Sequence, residues 1–275
     1  MIPRANITAW RAAAPWPTDA QVEQDLVICR ALVELFSRPA IADAVVFRGG
    51  TALHKLVLPT PGRYSEDIDL VQAAAGPIGP VLDAIRQVLD PWLGVPTRKQ
   101  SAAGATLAYR FEGSGLPVQV MRLKVEINTR EHGHVRALAR RELRVANPWF
   151  TGSVAVVTYN DIELLATKLR ALYQRKKGRD LFDLWQALTA LDVDDVGLVE
   201  VFAEYLKRAG LRVTRAEFER NLAQKERMPE FHGDVLPLLP VGSTYEPTAA
   251  LALVRQRLIE RLPGKPWRAK GSSGS

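Results

Sequence analysis

Cysteine is almost missing from this chain: Cys29 is the only one in 275 residues. That excludes an internal disulfide and a cysteine-rich zinc centre. Cys29 falls in a helical apolar pattern and reads as a small buried hydrophobe. Histidine is also sparse, and His54, His132, His134 and His232 have no metal-ligand spacing. No apolar run approaches the ~20 residues of a membrane-spanning helix. The start, Met1-Ile2-Pro3-Arg4-Ala5-Asn6, lacks the apolar centre of a signal peptide. Cytoplasm is therefore the expected compartment, with no membrane partner. Internal repeats and low-complexity segments are absent, and Gly271-Ser272-Ser273-Gly274-Ser275 reads as a cloning scar. What remains is ordinary for a globular chain: 47% hydrophobic and 24% charged residues, enough for one large or two smaller domains. The net charge of +7 favours a polyanionic partner.

The informative stretch is Phe47-Arg48-Gly49-Gly50-Thr51-Ala52-Leu53-His54-Lys55, followed by Arg63-Tyr64-Ser65-Glu66-Asp67-Ile68-Asp69-Leu70. Two glycines and a threonine leave an apolar run, Ala44 to Phe47. Side chains at i and i+2 of a strand point the same way. Asp67 and Asp69 thus share a face, while Ile68 and Leu70 take the core side. Two carboxylates so close repel, and burying them unpaired is costly. A divalent cation resolves the conflict, and Mg²⁺ is commonly held by one or two carboxylates plus substrate phosphates. A Gly49-Gly50 turn lets backbone N–H groups approach those phosphates, and a helix after it adds a partial positive charge. A lone Asp-x-Asp is usually a solvated turn, and a lone Gly-Gly just a turn. Here both occur in order, each beside a strand-like run, which points to metal-assisted phosphoryl or nucleotidyl transfer.

These residues resemble the AbiEii/AbiGii nucleotidyltransferase toxins, a MenT-like branch of the polymerase-β-like nucleotidyltransferase superfamily. The spacer from Gly50 to Asp67 is longer than that pattern, with Pro59-Thr60-Pro61 as a small loop insertion. The resemblance spans roughly residues 20 to 190. It implies three strand-borne carboxylates around Mg²⁺ or Mn²⁺, with an NTP as substrate. Asp67 and Asp69 supply two ligands. Glu126, in the strand pattern Lys124-Val125-Glu126-Ile127, is the expected third ligand or general base; otherwise it is a strand-edge salt bridge to Lys124 or an arginine. Gly49, Gly50, Thr51 and Ser65 are expected to line the nucleotide. A phosphate on Ser65 would set negative charge beside the carboxylates and inhibit.

Later motifs also resemble the family: Lys168 in a helical pattern, then Arg179-Asp180-Leu181-Phe182-Asp183. The resemblance implies that Lys168 offsets charge on the triphosphate. Asp180 and Asp183, three apart on one helical face, orient a basic side chain; Asp183 is the catalytic candidate. Asp180 is assigned to the nucleotide or, alternatively, to a helix N-cap after Gly178. The basic run Arg175-Lys176-Lys177 with Arg179 is expected either as a solvated turn or as a hold on an RNA backbone.

The organisation expected is α/β (α+β): a polymerase-β-like core with a mixed sheet, then a mostly helical region. Thr18-x-x-Gln21 predicts a capping box opening a helix with Val22, Leu26, Val27, Ala31 and Leu35 on its apolar face. Strands are predicted at Ala44–Phe47, Ile68–Val71, Thr106–Phe111 and Pro117–Asn128, the last two as a hairpin through Glu112-Gly113-Ser114-Gly115. Helices are predicted at Thr51–Val57, Ile78–Leu89 and repeatedly beyond Asn160. The domain boundary is set near 155, giving a core over 1–155, a helical domain over 156–265 and a tail over 266–275.

The function so implied is that of a toxin in a toxin–antitoxin system. It would transfer NMP from an NTP to RNA, as MenT-type enzymes do at the tRNA 3′ end, and block translation, with a cognate antitoxin as partner. The rivals are NMPylation of a protein hydroxyl, an inactive nucleotide- or antitoxin-binding fold, and a metal nuclease. The intact carboxylate set argues against the inactive fold. A nuclease has no use for an NTP-binding Gly-Gly-Thr and a remote lysine.

Overall fold

The computed structural model describes residues 2–101, 103–115 and 117–268; Gly271–Ser275, expected as a cloning scar, lies outside them. Two compact units are present. One runs through Asn160 and takes back Leu238–Gly242; the other holds Asp161–Pro237 and the described residues from Ser243 onward.

The first unit contains helices α1 (Arg4–Trp10), α2 (Asp19–Phe36), α3 (Pro39–Ala42), α4 (Gly49–Ala52) and α5 (Gly79–Leu93). Its strands are β1 (Val45–Arg48), β2 (Asp67–Gln72), β3 (Thr97–Ser101), β4 (Gly104–Glu112), β5 (Val120–Asn128), β6 (Ala139–Asn147) and β7 (Phe150–Thr158). They form one mixed sheet in the order β3-β4-β5-β2-β1-β7-β6. β1 pairs antiparallel with β2, and β2 pairs parallel with β5. The expected hairpin of β4 and β5 is present. Three strands were not expected. β3 is fully exposed along its length and has no apolar alternation to betray it. β6 and β7 form a hairpin through Asn147–Phe150. β7 continues to Thr158, so the expected boundary at 155 falls inside a strand.

α2 opens on the expected capping box, Thr18 with Gln21. Leu26, Ile28, Leu32 and Leu35 have no exposed surface, and each such side chain contributes about 1.5–3 kcal/mol by leaving water. Cys29 is buried with them, and burial pushes its thiol up to about 12, which leaves it inert. Among these apolar residues stands one charge, Asp25, also without exposed surface. It accepts hydrogen bonds from Trp10 Nε1 at 2.8 Å and Trp16 Nε1 at 2.9 Å, and it forms an ion pair with Lys55. A buried carboxylate survives only when satisfied in this way. Lys55 lies in a π-turn, Leu53–Val57, that continues α4. The helix expected from Thr51 thus begins earlier, at Gly49, and widens at Leu53.

The second unit is helical: α6 (Asp161–Gln174), α7 (Gly178–Ala190), α8 (Asp195–Arg208), α9 (Arg215–Lys225), α10 (Pro229–Gly233) and α11 (Pro247–Arg257). Leu165, Leu169, Leu172, Leu181, Leu184, Phe202 and Phe218 fill its core. Lys225 reaches the carbonyls of Leu172 and Tyr173 near the end of α6, satisfying groups that a helix terminus leaves open. Burial pulls the Lys225 ammonium down to about 8.

Candidate active site

In the first unit, β1 delivers the chain to Arg48 and the backbone turns at Gly49, whose φ is +84°. A side chain there would be strained, and its Cβ would collide with the Asp69 carboxylate. A Cβ on Gly50 would run into the Arg63 guanidinium. Gly49 is therefore required by its φ and by close approach, whereas a side chain at Gly50 would have to displace the Arg63 guanidinium. Thr51, expected among the nucleotide-binding residues, is fully buried. Its Oγ1 lies 2.6 Å from the Asp67 carbonyl and 2.8 Å from Ser65 Oγ. Thr51 thus braces the turn against β2 and has no surface to offer a ligand.

Asp67 and Asp69 alternate with buried Ile68 and Leu70, as the strand pattern requires. Parallel pairing sets Asp67 beside Lys124 and Asp69 beside Glu126. Asp67, Asp69 and Glu126 therefore share one face of adjacent strands. Lys124 Nζ is 3.6 Å from Asp67 Oδ1 and 3.8 Å from Glu126 Oε1, so the strand-edge pairing weighed for Glu126 is also present. Burial pushes the Asp67 carboxyl up to about 6; Lys124 pulls against this, while Asp69, Glu66 and Glu126 add to it. Negative charge is in excess here. A recess of about 270 Å³ beside it is lined by Arg48, Asp69, Thr106, Glu126 and Asn128, among others. Arg48 is tethered to Glu131 at 3.1 Å. Sequence reasoning gave no role to Arg48 or Arg63 and saw Lys124 only as a salt-bridge partner. The signal available for all three was a basic residue inside the motif itself.

Among the described residues, no group of three or more His, Cys, Asp or Glu converges closely enough to hold a metal ion. The donor set nevertheless fits a hard divalent cation. It offers oxygen ligands only, two of them in the pattern Asp67-x-Asp69, and Asp67 is made harder to ionise by burial first and by its acidic neighbours after that. A cation relieves that repulsion.

The second unit treats its acidic residues differently. Lys168 is buried, 2.7 Å from Asp183 Oδ2 and 3.5 Å from Asp180 Oδ1. Arg175 grips Asp180 with two nitrogens, at 2.6 and 2.7 Å. Asp180 and Asp183 have no exposed surface. Asp180 is thus an internal anchor with no surface for a nucleotide. Nor is it the N-cap of α7, a position that Lys177 takes. Tyr245 stands against Phe182 and Trp185, and burial with the nearby Asp183 charge raises its hydroxyl pKa. In the basic run, Arg175 is paired to Asp180, Lys177 to Asp234 at 3.1 Å and Arg179 to Asp234 at 3.7 Å. Three of the four expected RNA contacts therefore already have carboxylate partners; Lys176 is the exception.

A family model described as nucleotidyl transferase AbiEii toxin, type IV TA system, matches residues 30–253. Comparison with curated protein sequences gives no match. Among solved structures, the chain is similar to MenT4, a nucleotidyltransferase toxin from Mycobacterium tuberculosis H37Rv. The identity is 20% and the TM-score 0.65, over 96% of this chain and 91% of that one. That likeness shows a shared fold. Weaker likenesses are to JHP933 from Helicobacter pylori (16% identity, TM-score 0.45, 90% and 96% covered) and to an antigenic nucleotidyltransferase-like protein from Paracoccidioides brasiliensis (18%, 0.39, 77% and 91%).

Proposed function

The chain belongs to the AbiEii family of nucleotidyltransferase toxins of type IV toxin–antitoxin systems, and on that premise we propose that it transfers NMP from an NTP to a hydroxyl of an RNA acceptor. The acceptor in this reading is the tRNA 3′ end, and the consequence is a block in translation. Membership of a toxin–antitoxin family implies an antitoxin partner and a nucleotide substrate. The observation that carries the reading is the under-compensated set of Asp67, Asp69 and Glu126 on adjacent strands, with the Gly49-Gly50 turn pressed against Asp69.

Asp67, Asp69 and Glu126 are the residues that would hold Mg²⁺ or Mn²⁺. When bound, such an ion supplies Lewis-acid stabilisation of charge on phosphate oxygens. The two glycines keep side chains out of the phosphate's path. The acceptor oxygen attacks the α-phosphorus, the bond to the pyrophosphate oxygen breaks, and pyrophosphate leaves. Glu126, with its side chain 45% exposed, takes the acceptor's proton.

The test is incubation with each α-³²P-labelled NTP and either total RNA or total protein, with and without EDTA. Label on RNA that disappears with EDTA is expected. Label on protein alone transfers the assignment to protein NMPylation, and no label on either refutes transfer.

A further inference from the structure

Residues paired across a sheet carry their side chains on the same face. From Asp69 the pairing leads to Glu126 on β5, Thr106 on β4 and Lys99 on β3. From Asp67 it leads to Lys124, Ala108 and Thr97. One position further along the hairpin, Arg122 stands directly opposite Arg110. Arg110, Arg122, Lys124 and Lys99 thus share the face of the three carboxylates. The intervening residues Ile68, Leu107, Tyr109, Leu123 and Val125 are buried on the other face.

Arg110 and Arg122 are exposed. Among the described residues neither side chain has a hydrogen-bond or ion-pair partner. The next residue on that face of β4, Glu112, is paired to neither. Like charges directly opposite each other destabilise a sheet, and among the described residues no carboxylate pairs with either arginine. A polyanion would. Arg122, Lys124 and Glu126 are successive residues on one face, so the line from the arginines to the carboxylates is about 13 Å long.

We propose that the phosphate backbone of the acceptor RNA crosses this open sheet face on Arg110, Arg122 and Lys99, and enters the site past Lys124. The inference rests on the RNA-acceptor reading above. It moves the expected RNA contact away from Arg175–Arg179, where Asp180 and Asp234 already meet the charge, to a pair of arginines that no carboxylate meets.

The experiment uses the full chain, bulk tRNA in a filter-binding salt series, and α-³²P NTP transfer. In an Arg110→Gln/Arg122→Gln variant, tRNA affinity should fall about tenfold at low salt. The slope of log affinity against log salt should shrink by about 1.5–2, as expected for two lost phosphate contacts. NTP affinity should not move, and Tm should hold or rise because a repulsive pair is gone. Arg110→Lys/Arg122→Lys, which keeps the charge, should keep the slope; it also serves if the glutamine variant fails to fold. Unchanged tRNA affinity and slope in the glutamine variant overturn the track even when wild type labels RNA. Wild type labelling only protein overturns the RNA-acceptor reading, and the track with it.

Discussion

The two units use acidic residues in opposite ways. In the second, Asp180 and Asp183 have no exposed surface, and two cations, Lys168 and Arg175, face them at 2.6–3.5 Å. In the first, Asp67, Asp69 and Glu126 are partly exposed, and Lys124 stands off at 3.6 Å from Asp67 and 3.8 Å from Glu126. Charge that is fully matched and dry holds helices together. Charge left over on an open sheet face is available to a ligand. The difference separates carboxylates whose charge is already met from carboxylates whose charge is not, without reference to which looks more motif-like.

The largest effect that sharpens this contrast is on turnover. Asp69→Asn should cut NMP transfer by at least about 10³-fold. Its Tm should not fall, since the change removes a repelling charge. A folded Asp69→Asn enzyme with full transfer would falsify the assignment of the first-unit carboxylates.

The next effect is on stability. Lys168→Ala leaves Asp183 without its nearest cation in a dry site and should cost about 3–5 kcal/mol in urea unfolding. Lys168→Met combined with Asp183→Leu should recover part of that loss, because it removes both charges together. If Lys168→Ala unfolds like wild type, Lys168 is not the architectural cation described here, and the contrast between the units fails.

The smallest effect is a pH dependence. The Lys225 ammonium titrates near 8 in the folded chain, against 10.5 for an ordinary lysine. Between those values the unfolded chain holds more protons, so stability should climb as pH rises through that window. The gain is on the order of 1 kcal/mol once partial solvation is allowed for. Lys225→Met should flatten the climb. A wild-type curve already flat from pH 8 to 10 refutes the burial account of this lysine.

Much of this was legible in the sequence because local chemistry dictated it. The capping box at Thr18 and Gln21, the alternation of Asp67 and Asp69 with Ile68 and Leu70, and the hairpin of β4 and β5 are all short-range patterns. β3 was invisible because Thr97-Arg98-Lys99-Gln100-Ser101 buries nothing; its pairing with β4 alone defines it. β6 left a trace in Leu143 and Val145, which alternate with Glu142, Arg144 and Ala146, but arginine richness masked it. The fates of Thr51, Asp180 and the basic run were unreadable for another reason. Each depends on a partner distant in sequence or on burial, such as Asp234 for Lys177 and Arg179, and spacing does not report those.

The return of Leu238–Gly242 to the first unit has a bearing on how the protein is made. The Tyr64 backbone N–H, three residues before Asp67, donates to the carbonyl of Leu238 at 2.7 Å. A nascent chain has synthesised the glycine turn and both aspartates long before that acceptor exists. At roughly 5–20 residues per second the gap is on the order of ten to thirty seconds. The loop leading into the carboxylates therefore gains this backbone partner only after the intervening residues up to Leu238 have been made. A ribosome making this chain holds that loop without its Leu238 partner throughout the interval, and a fragment ending before Leu238 carries the motif without that support.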